Sequence, residues 1–258
     1  MAILVTGGAG YIGGHTCHTL CDRGFDVVVY DNLENGHKEN VPSRAKLVLG
    51  DLSDISKLES CFKENKIDAV IHFAGYIEAG ESMKNPMKFF TNNVCNGINL
   101  LKVMINNNVQ KIVYSSSAGV YGQPEQIPIK EDSKKEPVNF YGLSKLMFEQ
   151  ILESCRVYGI KNISLRYFNA AGASFDIGEN HNPETHLIPL VLKSALSGSE
   201  LKVFGDNYET PDGSCIRDYV HVLDLAEAHI IALEKLSQNI EGAYNVGTGK
   251  GTSVFEII

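Results

Sequence analysis

The chain has 258 residues, enough for one large domain or one domain with a smaller companion. Apolar residues make up 43% and charged residues 21%, ordinary for a globular protein, and no apolar run approaches the length of a membrane span. The net charge of −8 argues against a broad nucleic-acid or anionic-membrane surface, while leaving room for a local basic pocket that takes a phosphate.

The first twelve residues after Met1 carry the strongest local signal. Ala2 to Val5 is apolar and partly β-branched, as in a buried strand. Glycines follow at 7, 10 and 13, and a helix pattern begins at Tyr11 and closes at Gly24. A strand, a glycine turn and a helix in that order form a dinucleotide-binding turn. Gly7 permits the turn, Gly10 admits the pyrophosphate close to the backbone, and Gly13 lets helix and strand pack closely. The helix N-terminus then offers free N–H groups to the phosphates. The spacing is G-x-x-G-x-x-G, and a plain strand-to-helix turn is the other reading.

Asp26 to Asp31 is the second strand. Asp31 stands where the fingerprint places an acid that binds the adenosine ribose and favours NAD over NADP; otherwise it is a turn aspartate before Asn32. Ala45 to Gly50 reads as a third strand. Asp54 reads as the N-cap of a helix over Ile55 to Asn65. Asp68 to Gly75 holds the fourth strand and its exit. Asn85-Pro86 starts a helix that runs to about Asn107. Lys111 to Ser117 is a fifth strand ending in a serine run. After a polar loop (123–139), a helix is expected over about Tyr141–Tyr158, then a sixth strand at Ile163–Tyr167. Beyond Asn169 the pattern loosens into a loop (172–183), a helix at Leu187–Ser197 and a short strand at Leu201–Phe204. A strand at Arg217–Val222, a helix at Leu223–Leu236 and a strand at Ala243–Val246 follow. Ser253 to Ile258 starts another helix, and one turn is not stable alone, so the end reads as a truncation.

The alternation predicts an α/β fold: a doubly wound parallel Rossmann-type sheet with a smaller C-terminal substrate-binding part. Residues 1–170 are expected to form the NAD-binding domain, and 171–258 a substrate-binding region interleaved with its last elements. Cys17, Cys21, Cys61, Cys95, Cys155 and Cys215 are scattered and include no C-x-x-C, as in a chain with reduced thiols. The N-terminus shows no signal-peptide pattern, and a cytoplasmic location is expected. The histidines form no H-x-x-x-H or Cys/His cluster, so no metal site is expected.

Tyr141-Gly-Leu-Ser-Lys145 is the chemical centre. Residues i and i+4 share a helix face, so phenol and ammonium can face one pocket. A free Tyr has a pKa near ~10. A neighbouring Lys and a positive nicotinamide ring favour the phenolate, which then acts as a general base. Ser117 ends a strand and can hydrogen-bond the same substrate hydroxyl. Y-x-x-x-K alone is common surface decoration; the glycine turn, Asp31 and the serine run give it meaning. Arg217 offers a planar fork suited to phosphate oxygens, or else pairs with Asp218. His72 and His221 read as hydrogen-bonded structural histidines, and Lys134-Lys135 as solvated loop charge. His186 is either a helix cap or a substrate contact.

With these residues the chain resembles the extended short-chain dehydrogenase/reductases, and within them the UDP-hexose 4-epimerases. The resemblance covers the whole chain. It is carried by Gly7–Gly13, Asp31-Asn-Leu33, His72-Phe-Ala-Gly75, Gly80-Glu-Ser82, Asn92-Asn-Val94, Ser115–Gly122, Tyr141–Lys145, Leu165–Asn169 and Arg217–Val222. It implies NAD held by Gly7, Gly10, Tyr11, Ile12 and Gly13, with Asp31 and Asn32 on the ribose and Asp51 and Leu52 flanking the adenine. Phe73, Ala74, Gly75, Asn92, Ser115 and Tyr167 would line the rest of the cofactor cleft. Tyr141, Lys145 and Ser117 would be catalytic. Asn169, His186, Leu187, Phe204 and Arg217 would hold a UDP-sugar, with Phe204 against the uracil.

The implied reaction is inversion at C4, UDP-galactose to UDP-glucose, through a 4-keto sugar. Epimerases of UDP-GlcNAc or UDP-glucuronate, a nucleotide-sugar 4,6-dehydratase and a non-catalytic NAD-binding regulator are the alternatives. Dehydratases carry Asp-Glu just after the Ser/Thr, where this chain has Ala118 and Gly119. Phe140 replaces a frequent Pro, and Ile77 replaces a Lys found near the cofactor in some epimerases. The segment that would follow residue 258 in such enzymes supplies further uridine contacts. The resemblance also implies a homodimer through the helices starting at Pro86 and Tyr141, with no nucleic-acid or membrane partner.

Overall fold

A computed structural model describes residues 1–258. Seven parallel strands form the central sheet, in the order β3-β2-β1-β4-β5-β6-β9. They are β1 (Ala2–Thr6), β2 (Asp26–Asp31), β3 (Lys46–Leu49), β4 (Ala69–His72), β5 (Lys111–Ser115), β6 (Lys161–Tyr167) and β9 (Gly242–Val246). The strand order reverses between β1 and β4, the position where such sheets open a ligand crevice.

Alternation along the strands builds two cores. Leu4, Val28, Tyr30, Val70, Ile112 and Tyr114 face one side. There they meet α2 (Ile55–Asn65), α5 (Asn96–Asn106) and α6 (Phe140–Ser154) through Leu58, Leu100 and Phe148. Ile3, Val5, Val27, Val29, Ile71 and Val113 face the other. They meet α1 (Tyr11–Asp22) and α8 (Val222–Leu236) through Cys17, Leu20, Ile230 and Leu233. Burial on both faces is why these strands read as near-continuous apolar runs.

Most elements fall where expected. The Asp54 carboxylate accepts the Lys57 N–H at 3.0 Å and caps α2. The helix expected from Pro86 is interrupted. It comprises α4 (Pro86–Phe89), a π-helical stretch at Phe90–Cys95, and α5. A short α3 (Ala79–Lys84) precedes it. The last turn of the expected Tyr141–Tyr158 helix tightens to 3-10 geometry at Cys155–Tyr158 and ends on Gly159 at φ 80°.

A second, three-stranded sheet lies beyond the first, ordered β10-β8-β7: β7 (Asn169–Ala171), β8 (Ile216–His221) and β10 (Gly251–Ser253). Between β7 and β8 runs α7 (Leu187–Ser197), and α9 (Val254–Ile257) ends the chain behind a capping box of Ser253 and Glu256. The strand expected at Leu201–Phe204 does not form. No strand lies alongside to take up its backbone groups, and Phe204 is 81% exposed. No helix is long and apolar enough to cross a membrane.

Candidate active site

The carboxyl ends of β1, β2, β4 and β5 open into a cavity of about 650 Å³. Every residue put forward above for cofactor, catalysis or substrate lines it, from Gly7 and Asp31 through Tyr141 and Lys145 to Phe204 and Arg217. Local chemistry explains how each wall is held.

At the glycine turn, Gly7 has φ 71°, a backbone that favours glycine, and a Cβ there would lie 2.6 Å from the Ala74 nitrogen. A Cβ on Gly13 would lie 2.2 Å from the Gly7 oxygen, so the helix seats directly on the turn. Gly10 is the N-cap of α1 and makes no side-chain cap bond, leaving the first helical turn on the cavity wall. This cradle of small residues and backbone amides at a helix N-terminus fits a dinucleotide pyrophosphate.

Asp31 is fixed at the end of β2. Its Oδ2 accepts the Ala9 N–H at 3.0 Å and its Oδ1 the Leu33 N–H at 2.9 Å. A carboxylate has about four acceptor sites, so capacity for ribose hydroxyls remains. Asn32 donates to Asp51 Oδ2 at 2.8 Å. Burial pushes the Asp51 carboxyl up, but hydrogen bonds from Ser53 and Asn32 outweigh it and bring it below its ordinary range.

Tyr141 and Lys145 stand one turn apart on α6. Asn139 caps that helix by accepting the Gly142 N–H at 2.7 Å. Lys145 is 2% exposed, and its Nζ donates to the Ser115 carbonyl at 2.8 Å. The ammonium sits 5.0 Å from the Tyr114 ring and 5.8 Å from the Tyr141 ring. Burial lowers the Lys145 pKa to about 8 despite the opposing pull of Glu149. Ser117 faces the same cavity as Tyr141 and works to lower its pKa, and the Ser117 Oγ accepts the Gly119 N–H at 3.0 Å.

The expected lowering of the phenol pKa draws on the nicotinamide charge as well as on the Lys145 ammonium. In the protein alone, burial raises the Tyr141 pKa and Ser117 offsets only part of it. The Lys145 ammonium donates to the Ser115 carbonyl.

Residues the sequence reading passed over hold this constellation in place. Glu149, one turn beyond Lys145, accepts from Ser116 Oγ at 2.5 Å and pairs with Arg166 of β6 at 2.6 Å. Arg166 also donates to the Tyr121 hydroxyl at 2.9 Å. Asn93, in the π-helical stretch, accepts the Tyr76 N–H at 2.8 Å and donates to Ser144 Oγ at 3.0 Å. It thereby joins the β4 exit loop to the turn between Tyr141 and Lys145. Asn92, in the same stretch, and Asn96, which opens α5, also line the cavity.

At the far end, the Arg217 guanidinium donates to the Ile216 carbonyl at 2.8 Å and lines the cavity. It makes no ion pair with Asp218, whose carboxylate instead accepts from Thr248 and Gly249. Asn169 donates to the Asp218 carbonyl at 3.1 Å. His186 sits at the N-cap of α7 but makes no cap bond. Its Nδ1 lies 2.7 Å from Glu184 Oε1 and 3.1 Å from Glu179 Oε1. Burial raises the Glu179 carboxyl to about 7, against the pull of His186.

His72 and His221 are structural. His72 Nδ1 and Thr6 Oγ1 are 2.7 Å apart, and His221 Nδ1 accepts the Leu223 N–H at 3.2 Å. Lys134 pairs with Glu136 at 2.6 Å on the surface. Ile77 lines the cavity, and Phe140 packs edge-on against Phe90 at 5.9 Å.

Residues 3–247 match the NAD dependent epimerase/dehydratase family. A UDP-glucose 4-epimerase of Halalkalibacterium halodurans is 50% identical over 263 residues, covering 100% of this chain and 78% of the relative. Among solved structures, the UDP-glucose 4-epimerase of Brucella ovis in complex with NAD superposes with a TM-score of 0.96 at 45% identity, covering 99% of this chain and 80% of that one. The enzyme of Bifidobacterium longum in complex with NAD+ and UDP gives 0.91 at 42% identity, covering 99% and 81%.

Proposed function

This chain belongs to the NAD dependent epimerase/dehydratase family, and from that premise we propose that it interconverts UDP-galactose and UDP-glucose by inversion at C4. The observation that carries the reading is Tyr141, one helical turn from Lys145 on α6 and sharing its cavity with Ser117. It lies on a cavity walled by the glycine turn on one side and by Arg217 on the other.

Gly7, Gly10, Tyr11, Ile12 and Gly13 hold the pyrophosphate of NAD, Asp31 and Asn32 its adenosine ribose and Asp51 and Leu52 its adenine, while Phe73, Ala74, Gly75, Asn92, Ser115 and Tyr167 line the rest of the cleft. Bound NAD supplies the hydride acceptor and donor at the sugar, together with a positive ring charge that favours the phenolate. Tyr141 takes the O4 proton and later returns it. Ser117 steadies O4, and Lys145 fixes the floor through Ser115. Arg217, Asn169, His186, Leu187 and Phe204 hold the UDP. That remote anchorage leaves the hexose ring free to turn over, so binding energy is used away from the reacting carbon.

A 4,6-dehydratase needs a further acid/base pair. The residues after Ser117 are Ala118 and Gly119, in a 3-10 turn, and neither transfers protons. In this reading residues 1–170 carry the cofactor and 171–258 the substrate, and the enzyme is a cytoplasmic homodimer. Its dimer face is formed by the outer sides of α4, α5 and α6, where Met87 is 66% exposed. Light scattering on the purified protein measures that stoichiometry.

The test is a product assay across UDP-galactose, UDP-GalNAc and UDP-glucuronate. UDP-galactose giving UDP-glucose with no added oxidant supports the reading. Turnover of another UDP-sugar alone reassigns the substrate, and no turnover of any overturns it.

A further inference from the structure

The loop between β7 and α7 gathers three metal-ligating groups, of which Glu179 and His181 have no part in the reaction above. One ligand atom from each of Glu179, His181 and His186 lies within 4.8 Å of the other two. Glu179 Oε1 is 3.6 Å from His181 Nδ1 and 3.1 Å from His186 Nδ1. A tetrahedral ion with bonds of about 2.0–2.2 Å keeps its ligand atoms about 3.3–3.5 Å apart. The two separations bracket that range.

Hydrogen bonding accounts for only part of the cluster. His186 Nδ1 has Glu184 Oε1 at 2.7 Å. His181 Nδ1 is shut off from solvent and has no hydrogen-bond partner. A buried polar atom left unpaired costs free energy, and such an atom in a native structure needs an explanation. A cation drawing on that lone pair, on the Glu179 carboxylate and on His186 supplies one. The loop holds its shape by other means. Glu184 accepts the backbone N–H groups of His181, Thr185 and His186 at 3.3, 2.8 and 2.8 Å. Its Oε1 also faces His186 Nδ1 at 2.7 Å, a contact that a bound ion would replace.

We propose that Glu179, His181 and His186 form a binding site for one divalent transition-metal ion of the zinc class. Two imidazole nitrogens and one carboxylate suit zinc or cobalt; magnesium and calcium prefer all-oxygen sets. Three protein ligands leave the fourth place to water or a substrate oxygen. All three residues line the cavity that carries Tyr141 and Arg217, so the ion would sit on the wall of the substrate cleft. The spacing, Glu-x-His-x-x-x-x-His, matches no helical face, so periodicity does not reveal it.

The inference does not depend on the epimerase reading, because binding is measured without turnover. The NAD-loaded protein, freed of metal with a chelator, is titrated with Co2+. The expected result is saturation at one Co2+ per chain, with visible d–d bands and no thiolate charge-transfer band. Zinc should displace the cobalt. Glu179→Gln and His181→Asn should each weaken binding at least about tenfold, while melting with the parent when metal-free. Zinc-edge anomalous diffraction from wild-type crystals locates the ion without any variant. A peak bonded to these three residues supports the assignment. No stoichiometric binding, thiolate ligation, unchanged affinity in both variants, or a peak elsewhere overturns it.

Discussion

Arg166 and Glu149 form an ion pair inside the protein, with Nη2 2.6 Å from Oε2 and side chains only 5% and 8% exposed. The pair joins β6 to α6 directly beneath the reacting residues, and the same carboxylate takes the Ser116 hydroxyl. Burial works against the Arg166 charge, but Glu149 and Tyr121 more than compensate, and its pKa ends above the ordinary value. Glu149→Gln keeps the volume and leaves Arg166 buried without a counter-charge. The expected loss is about 3–5 kcal/mol in urea denaturation. Because Ser115 to Ser117 lose their brace, kcat should fall more than KM rises. An unchanged midpoint and unchanged kcat contradict this role.

Replacing Tyr141 by Phe removes the proton acceptor and little else. Turnover should drop by about 10²–10⁴-fold, the range for a general acid/base group. Cofactor content, measured by acid release, should stay at the parent level. A variant that retains most of its turnover would place the acid/base group elsewhere.

Two buried histidines predict how stability follows pH. His72 is held down to about 3 by burial and by Lys145, and His229 to about 4 by burial. Both values lie below that of the unfolded chain, so the unfolded state binds more protons as pH falls. The stabilisation is complete above the unfolded value of about 6.5 and is lost on acidification toward the folded values, at about 1.4 kcal/mol per pH unit for each group. Denaturation midpoints at about pH 7 and pH 5 check this. The decline should be shallower in His229→Asn, and a flat profile in the parent contradicts it.

Gly7→Ala tests the cofactor cradle. The new methyl meets the Ala74 backbone at 2.6 Å in a left-handed conformation. Both effects oppose the native turn. The variant should purify with little NAD and lose activity; full NAD content would show that the turn is not as tight as described.

What was legible in the sequence was local. Gly7, Gly10 and Gly13 announce themselves by spacing, and Tyr141 and Lys145 by a helical interval. Asp31 does so by ending a strand of four apolar residues. What was missed depends on distant chain segments meeting. Arg166 sits in β6, a strand that also carries Lys161, Asn162 and Ser164, so its charge did not stand out as a sign of its pairing with Glu149. Asn93 gains its role from an extra residue in a helical turn, which no periodicity shows. Glu179, His181 and His186 converge through loop geometry. The expected strand at Leu201–Phe204 failed for the opposite reason: a short apolar run has the composition of a strand but no neighbour to pair with.

The account turns on an alcohol being oxidised and reduced again at the same carbon by a cofactor that stays bound. Conversion of UDP-galactose deuterated at C4, with no NAD added, tests this most directly. The expected product is UDP-glucose with the deuterium still on C4. Loss of the label to solvent, or a product formed only when free NAD is supplied, would contradict it.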